Sequence, residues 1–172
     1  MATATPAARR GFGISLKGRA LRLLAGREQS RAELERKLKS HAETPEQLAQ
    51  VLDELQAKDF ISEVRVVESV INRRAARFGT ARVRHELLAK GLDAELVQEA
   101  VQRLRATELE RAQEVWRKKF DSKADRPVPD AAARLKQMRF MAARGFGTEV
   151  IRRVVACADT DDQLSAYRLP KV

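Results

Sequence analysis

The chain of 172 residues carries 34 lysines and arginines against 24 acids, a formal net charge of +10. Only 5% of its residues are aromatic while 34% are charged, a composition that favours amphipathic helices over strands. A single cysteine, Cys157, excludes an internal disulfide, and with only two histidines a zinc site is not expected.

Targeting signals are not evident. No apolar run reaches the length of a membrane span, and the first fifteen residues lack the apolar segment of a secretory signal. We therefore expect a cytoplasmic protein that needs neither a metal nor a cofactor, with residues 1–14 forming a disordered arm.

Three helices are predicted in the first third of the chain. Ser30 opens the motif Ser-Arg-Ala-Glu, a capping box in which the hydroxyl and the later carboxylate each accept from a backbone N–H group. Thr44 then caps another helix, with Pro45 at its first position and Gln47 completing a second box. Apolar residues recur at helical spacing behind each start, so residues 15–60 are predicted to form a first three-helix domain.

The apolar pattern then repeats. Five positions lie 49 residues after five others: Val83, Leu87, Val97, Val101 and Leu104 follow Leu34, Leu38, Leu48, Leu52 and Leu55. A constant offset of this kind indicates an internal repeat. Gly79-Thr80 is predicted to break and cap a helix, Gly91 to end it and Asp93 to cap the next. Residues 61–106 therefore form a second predicted domain.

A third domain is predicted over residues 107–158. Thr107 begins Thr-Glu-Leu-Glu, another capping box, while Asp130 and Thr148 are predicted to cap two further helices. Two prolines and five charges between the first two helices predict a loop at residues 121–130.

The stretch Ala-Arg-Gly-Phe-Gly at residues 143–147 could be a phosphate-binding glycine loop or a helix end. A phosphate loop needs a strand before it and a helix after it, whereas here a helix comes first. Gly145 lies at the repeat position of Gly91, where a left-handed glycine ends a helix, and Phe146 matches Leu92. The glycines are therefore predicted to separate two helices.

Together these signals predict an all-α chain. Its architecture is a tandem array of three three-helix domains, about nine helices, elongated or curved, followed by an acidic flexible tail at residues 159–172. Each domain is close to the size at which one small core is marginal, so stacking between domains should matter. We expect a monomer.

Basic residues concentrate in the second and third domains. Residues 65–90 contain seven basic residues and two acids, and residues 134–155 contain six and one, whereas residues 43–63 hold six acids and one lysine. Local pairing cannot satisfy most of these arginines, so a polyanion-binding surface is predicted. Its candidate residues are Arg73, Arg74, Arg77, Arg82, Arg84, Lys90, Arg144, Arg152 and Arg153.

Other interpretations stay open at this point. Residues 80–90 could be the recognition helix of a helix-turn-helix, with Arg82, Arg84 and His85 reading bases, although nothing marks this helix above its counterparts.

Aromatic and reactive side chains give weaker signals. Phe78, Phe146 and Tyr167 could stack on bases, but such residues more often belong to a core. A nucleophilic role for Cys157, or an acid–base role for His85, has no supporting constellation, so no enzyme and no catalytic residue are expected.

Two long stretches resemble the RecX family: GRALRLLAGREQSRAELERKL at residues 18–38 and LQAKDFISEVRVVESVINRRAARFGTARVRHELLAKGL at residues 55–92. RFMAARGF at residues 139–146 is similar to the third-domain pattern of that family. Asp59 stands where the family usually has glycine, and Glu63 where aspartate is common. The matching positions are Leu55, Phe60, Ile61, Arg73, Gly79, Arg82, Val83, Glu86, Leu87, Lys90, Gly91 and Leu92.

The resemblance covers about residues 16–157 and implies a small cytoplasmic regulator of the RecA recombinase, without catalytic activity, in DNA repair, recombination and the SOS response. Family members consist of tandem three-helix domains that bind the RecA filament and limit its growth, ATP hydrolysis and strand exchange. Some also contact DNA. The implied partner is thus the RecA filament, with single- or double-stranded DNA as a second ligand. The alternative is a basic helical DNA-binding protein that acts independently of RecA.

Overall fold

The computed structural model describes residues 14–120 and 130–156, and every regular element within these ranges is helical. The all-α prediction is therefore confirmed. The chain divides into two compact units, an N-terminal unit Met1–Ser62 and a C-terminal unit Glu63–Val172. Several predictions fall outside the described residues: the N-terminal arm up to residue 13, loop residues 121–129, the acidic tail, Cys157 and Tyr167.

The N-terminal unit contains α1 (Leu16–Gly26), α2 (Arg31–Leu38), a 3₁₀ turn (Lys39–His41) and α3 (Pro45–Ala57). Its core consists of Leu16, Ala20, Leu34, Leu38, Leu48, Leu52, Leu55 and Ile61. The capping box at the start of α2 is confirmed, because the Ser30 hydroxyl accepts from the Glu33 N–H at 3.2 Å and the Glu33 carboxylate accepts from the Ser30 N–H at 3.1 Å.

The start of α3 differs from the predicted box in one bond. Thr44 is the N-cap and its hydroxyl accepts from the Gln47 N–H at 3.2 Å, as predicted. The Gln47 amide oxygen, however, accepts from the N–H of Glu43 at 2.9 Å. The glutamine side chain therefore satisfies the residue before the cap instead of the cap itself.

Helix α3 ends in a Schellman motif with an aspartate in the left-handed position. The N–H of Phe60 donates to the Leu55 carbonyl at 2.9 Å and that of Asp59 donates to the Gln56 carbonyl at 3.0 Å, while Asp59 has φ of 57°. Glycine adopts this conformation without steric cost. The geometry agrees with the glycine that the RecX resemblance leads us to expect at this position.

Asp59→Gly should therefore be about 1 kcal/mol more stable than Asp59→Ala, since both variants lack the carboxylate and differ only in the cost of a left-handed Cβ. Urea unfolding followed by far-ultraviolet circular dichroism measures the difference. The matched pair is Asp53→Gly and Asp53→Ala within α3, where alanine should be the more stable. The same order at both sites would contradict the backbone explanation.

The C-terminal unit contains α4 (Glu63–Arg74), α5 (Thr80–Ala89), α6 (Ala94–Ala106), α7 (Glu108–Phe120), α8 (Ala131–Ala143) and α9, which the structure describes over residues 148–156. Helices α4 to α6 enclose one core, with members Val66, Val67, Val70, Val83, Leu87, Leu92, Val97, Ala100, Val101 and Leu104. Helices α7 to α9 enclose another, around Ala112, Val115, Trp116, Met141, Phe146, Ile151, Val154 and Val155. The second and third domains therefore each consist of three helices around one core.

The two glycines predicted to end helices do so. Gly91 has φ of 67° after α5 and Gly145 has φ of 81° after α8. The residue after each glycine, Leu92 or Phe146, is buried in the core of its own domain. The interpretation of Gly145 as a helix terminator is thus confirmed. A helix precedes it, whereas a phosphate-binding loop requires a strand at that place.

Two predicted caps in this unit are wrong, and at Thr107 the position before α7 is as predicted while the hydroxyl makes other bonds than those of the predicted box. Gly79 rather than Thr80 is the N-cap of α5, and α9 likewise begins at Thr148, with Gly147 before it. Thr107 alone separates α6 from α7, so its hydroxyl donates to the Leu104 carbonyl and accepts from Nε of Arg111. Such a nearly continuous connection leaves little room for a capping box.

Candidate polyanion-binding surface

The second and third domains meet where the start of α5 contacts the end of α8. The N–H of Gly79 donates to the Arg144 carbonyl at 2.9 Å, and the N–H of Ala81 donates to the Gly145 carbonyl at 3.2 Å. The buried carboxylate of Glu108 on α7 accepts from the Thr80 N–H at 2.9 Å. The first amides of α5, which its own helix cannot satisfy, are therefore bonded by the third domain.

Close backbone packing at this contact requires glycine. A Cβ at Gly79 would lie 2.2 Å from the Gly145 carbonyl oxygen, and a Cβ at Gly145 would lie 2.7 Å from the backbone nitrogen of Arg82. Both distances are far below van der Waals contact. We call this contact, together with Glu108, the α5–α8 junction.

Arg111 reinforces the junction from α7. Its guanidinium donates to the carbonyl oxygens of Ala75, Phe78 and Leu104, each at 2.8 Å, and to the Thr80 hydroxyl at 3.4 Å. Burial lowers the pKa of this guanidinium, and the nearby Glu108 carboxylate opposes that change. Arg111 thereby fixes the turn between α4 and α5.

Three of the predicted arginines surround one aromatic ring at this turn. The guanidinium carbons of Arg74, Arg77 and Arg82 lie 5.7, 5.9 and 4.6 Å from the centroid of the Phe78 ring. Arg82 also donates to the Ala143 carbonyl at 3.1 Å. Nε of Arg74 lies 2.9 Å from a Glu86 carboxylate oxygen, an ion pair without an aligned hydrogen bond. Cation–π contacts orient Arg77 and Arg82 without neutralising their charge, whereas the charge of Arg74 is paired with Glu86.

A second aromatic ring orients Arg144, whose guanidinium carbon lies 3.7 Å from the Phe140 centroid. Arg77 and Arg144, which lie 67 residues apart, line the same cavity of about 310 Å³. Lys118 and Lys119, from the end of α7, complete its basic lining. The structure thus brings together two predicted residues and adds two that the sequence prediction missed. The only sequence signal for the lysines was a basic run that is also ordinary at a helix C-terminus.

The remaining predicted residues are more dispersed. Arg73 is exposed on α4, where its Nε donates to the Ser69 carbonyl at 3.1 Å. Arg84 lines a separate cavity beside the start of α5. Arg152 and Arg153 are exposed on α9, with Arg152 3.9 Å from the Glu149 carboxylate.

Lys90 differs from the other predicted residues because it is buried. Only 8% of the residue is exposed, because it follows α5 directly where the chain turns back over the core of its domain. This burial argues against contact with a polyanion on the surface, and the assignment of Lys90 stays a prediction.

The structure also bears on the two interpretations left open by the sequence, base stacking by aromatic residues and a DNA recognition helix. Phe146 is buried in the third core, so it does not stack on bases. Within the helix proposed to read a DNA groove, Arg84 and His85 are exposed, while the Arg82 guanidinium is held against Phe78. Across residues 14–120 and 130–156, no three His, Cys, Asp or Glu side chains form a group suited to a metal, and no helix is long and apolar enough to cross a membrane.

The three-helix domains follow one another in tandem, and arginines lie on aromatic rings at the contact between two of them. These features define a helical-repeat protein with a basic surface. Family models for the first, second and third three-helix domains of RecX match residues 17–55, 62–101 and 106–155. The regulatory protein RecX of Leptothrix cholodnii is 53% identical over 146 residues, which cover 85% of this chain and 90% of that protein. The chain belongs to the RecX family.

Other relatives agree with this assignment. The regulatory protein RecX of Ralstonia nicotianae is 45% identical over 85% of this chain and 89% of its own length. The crystal structure of RecX from Lactobacillus salivarius aligns with a TM-score of 0.68 over 84% of this chain and 95% of that one. At 17% identity, this last similarity concerns the fold alone.

Proposed function

We propose that the chain is a non-catalytic cytoplasmic regulator that binds the RecA filament and limits ATP hydrolysis, strand exchange and filament extension. Its membership of the RecX family supports RecA as the partner. The observation that supports the binding surface is the convergence of Arg77 and Arg144 with two lysines at the contact between the second and third domains.

The geometry suits recognition of carboxylates or phosphates. Arginine offers a planar pair of donors that matches both groups, and stacking on Phe78 or Phe140 reduces the conformational entropy lost on binding. A net charge of +10 also accelerates association with an acidic partner.

The test is RecA ATP hydrolysis on single-stranded DNA, with the protein titrated in at fixed DNA. Inhibition is expected at amounts well below those of RecA, because a filament-binding regulator acts on many subunits at once. Unchanged hydrolysis with a cognate RecA would refute the proposal.

Charge reversal tests the surface itself. Arg73→Glu combined with Arg77→Glu should raise the concentration for half-inhibition by at least about tenfold, since two attractive contacts become repulsive. Arg74 is retained because its pair with Glu86 is structural. The matched control is Arg36→Glu with Lys39→Glu, an equal charge change at exposed positions of the first domain. Equal inhibition by both double variants would remove the assignment of these arginines.

The basic surface also supports a second candidate, a DNA-binding protein that acts without RecA. Such a protein would inhibit hydrolysis only at amounts that coat the DNA strand. Its affinity for DNA alone would fall steeply with salt, by roughly one power of the salt concentration for each phosphate contact. Titration at two salt concentrations distinguishes this candidate from filament binding.

A further inference from the structure

The cavity between the end of α4 and helices α7 and α8 combines a basic rim with an apolar floor. We propose that it binds an acidic peptide segment of the protein partner, in which carboxylates flank one apolar side chain. The inference rests on the proposed function, since it names the chemistry by which this surface would recognise a protein. The lining comprises Ala76, Arg77, Val115, Lys118, Lys119, Phe140 and Arg144.

The charge of the lining selects the ligand. Four of the seven residues are cationic and none is acidic. Among the described residues, a Glu114 carboxylate oxygen lies 3.6 Å from the Lys118 ammonium, and both of these side chains are mostly exposed. Such an exposed pair is worth little, so it leaves Lys118 available to a ligand. Carboxylates entering the cavity would meet an excess of positive charge.

The apolar floor of the cavity is the reason to expect an apolar side chain in the ligand. Val115 is 7% exposed and belongs to the core of the third domain, and Ala76, from the turn after α4, lines the same cavity. A volume of about 310 Å³ accommodates one leucine-sized side chain and the start of its neighbours. Burial of such a side chain should strengthen binding by about tenfold or more.

The aromatic rings argue against nucleic acid as the occupant of this cavity. Single-stranded nucleic acid binds where open aromatic faces stack bases along a cationic track. Here the Phe140 ring is covered by the Arg144 guanidinium at 3.7 Å and meets the Phe120 ring edge-on at 5.1 Å. The rings are thus used to orient arginines, and the cations converge on one cavity.

The cavity is also preformed. Its walls come from both the second and third domains, which the α5–α8 junction holds together. Arg111 fixes the turn that carries Ala76 and Arg77 by bonding the carbonyls of Ala75 and Phe78. A ligand therefore does not have to order this part of the chain.

The probe is a short synthetic peptide in which aspartates flank a single leucine, added to the full-length, isotope-labelled protein. Amide chemical shifts should change at the cavity residues and little elsewhere in the described chain. Lys119→Glu should weaken binding about tenfold, whereas the matched reversal Lys136→Glu, exposed on α8 outside the lining, should change it less than about twofold. Serine in place of the leucine should also weaken binding about tenfold, through loss of the apolar contact.

Absent or dispersed shifts would overturn the inference, as would equal effects of the two lysine variants. A single-stranded oligonucleotide that gives the same shifts and displaces the peptide would assign the cavity to nucleic acid instead. Inhibition of RecA without shift changes at the cavity residues would refute this inference and leave the proposed function intact. Peptide binding at the cavity without any effect on RecA would support this inference and refute the proposed function.

Discussion

Replacement of Gly79 by alanine is expected to destabilise the C-terminal unit by about 3 kcal/mol. The added Cβ would meet the Gly145 carbonyl oxygen at 2.2 Å and the Phe146 nitrogen at 2.3 Å, and both are backbone atoms that cannot rotate away. The start of α5 must then move off α8, which stretches the hydrogen bonds of Gly79 and Ala81 to the third domain. Overpacking and lost hydrogen bonds each cost about 1–3 kcal/mol in well-packed proteins.

Trp116 provides the measurement, because it is the single tryptophan and lies in the third core. Urea unfolding followed by its fluorescence reports on the C-terminal unit. The control is Gly147→Ala in the same unit, where an added Cβ would lie 4.0 Å from the nearest atom, a Glu108 carboxylate oxygen, so the change should cost less than about 1 kcal/mol. Equal midpoints for the Gly79 variant and the wild type would show that the close approach is not required.

Loss of the Arg111 guanidinium should have a similar effect. Arg111→Met keeps the aliphatic stem but leaves the carbonyls of Ala75, Phe78 and Leu104 without this donor, at a total cost of about 3 kcal/mol. Arg111→Lys should recover less than half of the loss, because a single ammonium cannot reproduce the fork of donors that these acceptors require.

Arg117→Met is the matched control for this experiment. It makes the same change at an exposed position on the same helix, and we expect less than about 0.5 kcal/mol of destabilisation. Hydrogen exchange would add a local measurement, because amides in the turn after α4 should lose protection in Arg111→Met. Similar stability of the two variants would mean that the three carbonyls find water as an adequate partner.

Local signals in the sequence predicted the helices well. Ser30, Asp93 and Asp130 accept hydrogen bonds from the first turn of the helix that follows each of them, as capping residues do. Gly91 and Gly145 have the left-handed conformation that ends a helix. These features depend on neighbours within a few residues, so a single stretch of sequence is sufficient to reveal them.

Features that depend on distant residues could not be predicted in this way. The cap predicted at Thr80 is wrong, because Gly79 is the N-cap of α5, and the Thr80 N–H is bonded by Glu108, 28 residues away. Arg111 resembles any surface arginine of an amphipathic helix, since two of its carbonyl acceptors lie 33 and 36 residues before it. Its role emerges only when α4, α6 and α7 are packed together.

The candidate site was predictable in part for the same reason. The excess of arginines over acids indicated a basic surface, and Arg77 and Arg144 belong to the cavity that the structure describes. Charge counting cannot tell exposed from buried residues, however, and it included Lys90. It also missed Lys118 and Lys119, because the basic segments were defined along the chain while the cavity is formed by three helices from two domains.

The α5–α8 junction has a consequence for how the C-terminal unit opens. At the start of an ordinary helix the first amides face water and exchange their hydrogens readily. In this chain the amides of Gly79, Thr80 and Ala81 are bonded by Arg144, Glu108 and Gly145 of the neighbouring domain. These amides can therefore become exposed to solvent only when the two domains separate. Hydrogen exchange at the beginning of α5 thus reports whether the second and third domains are joined.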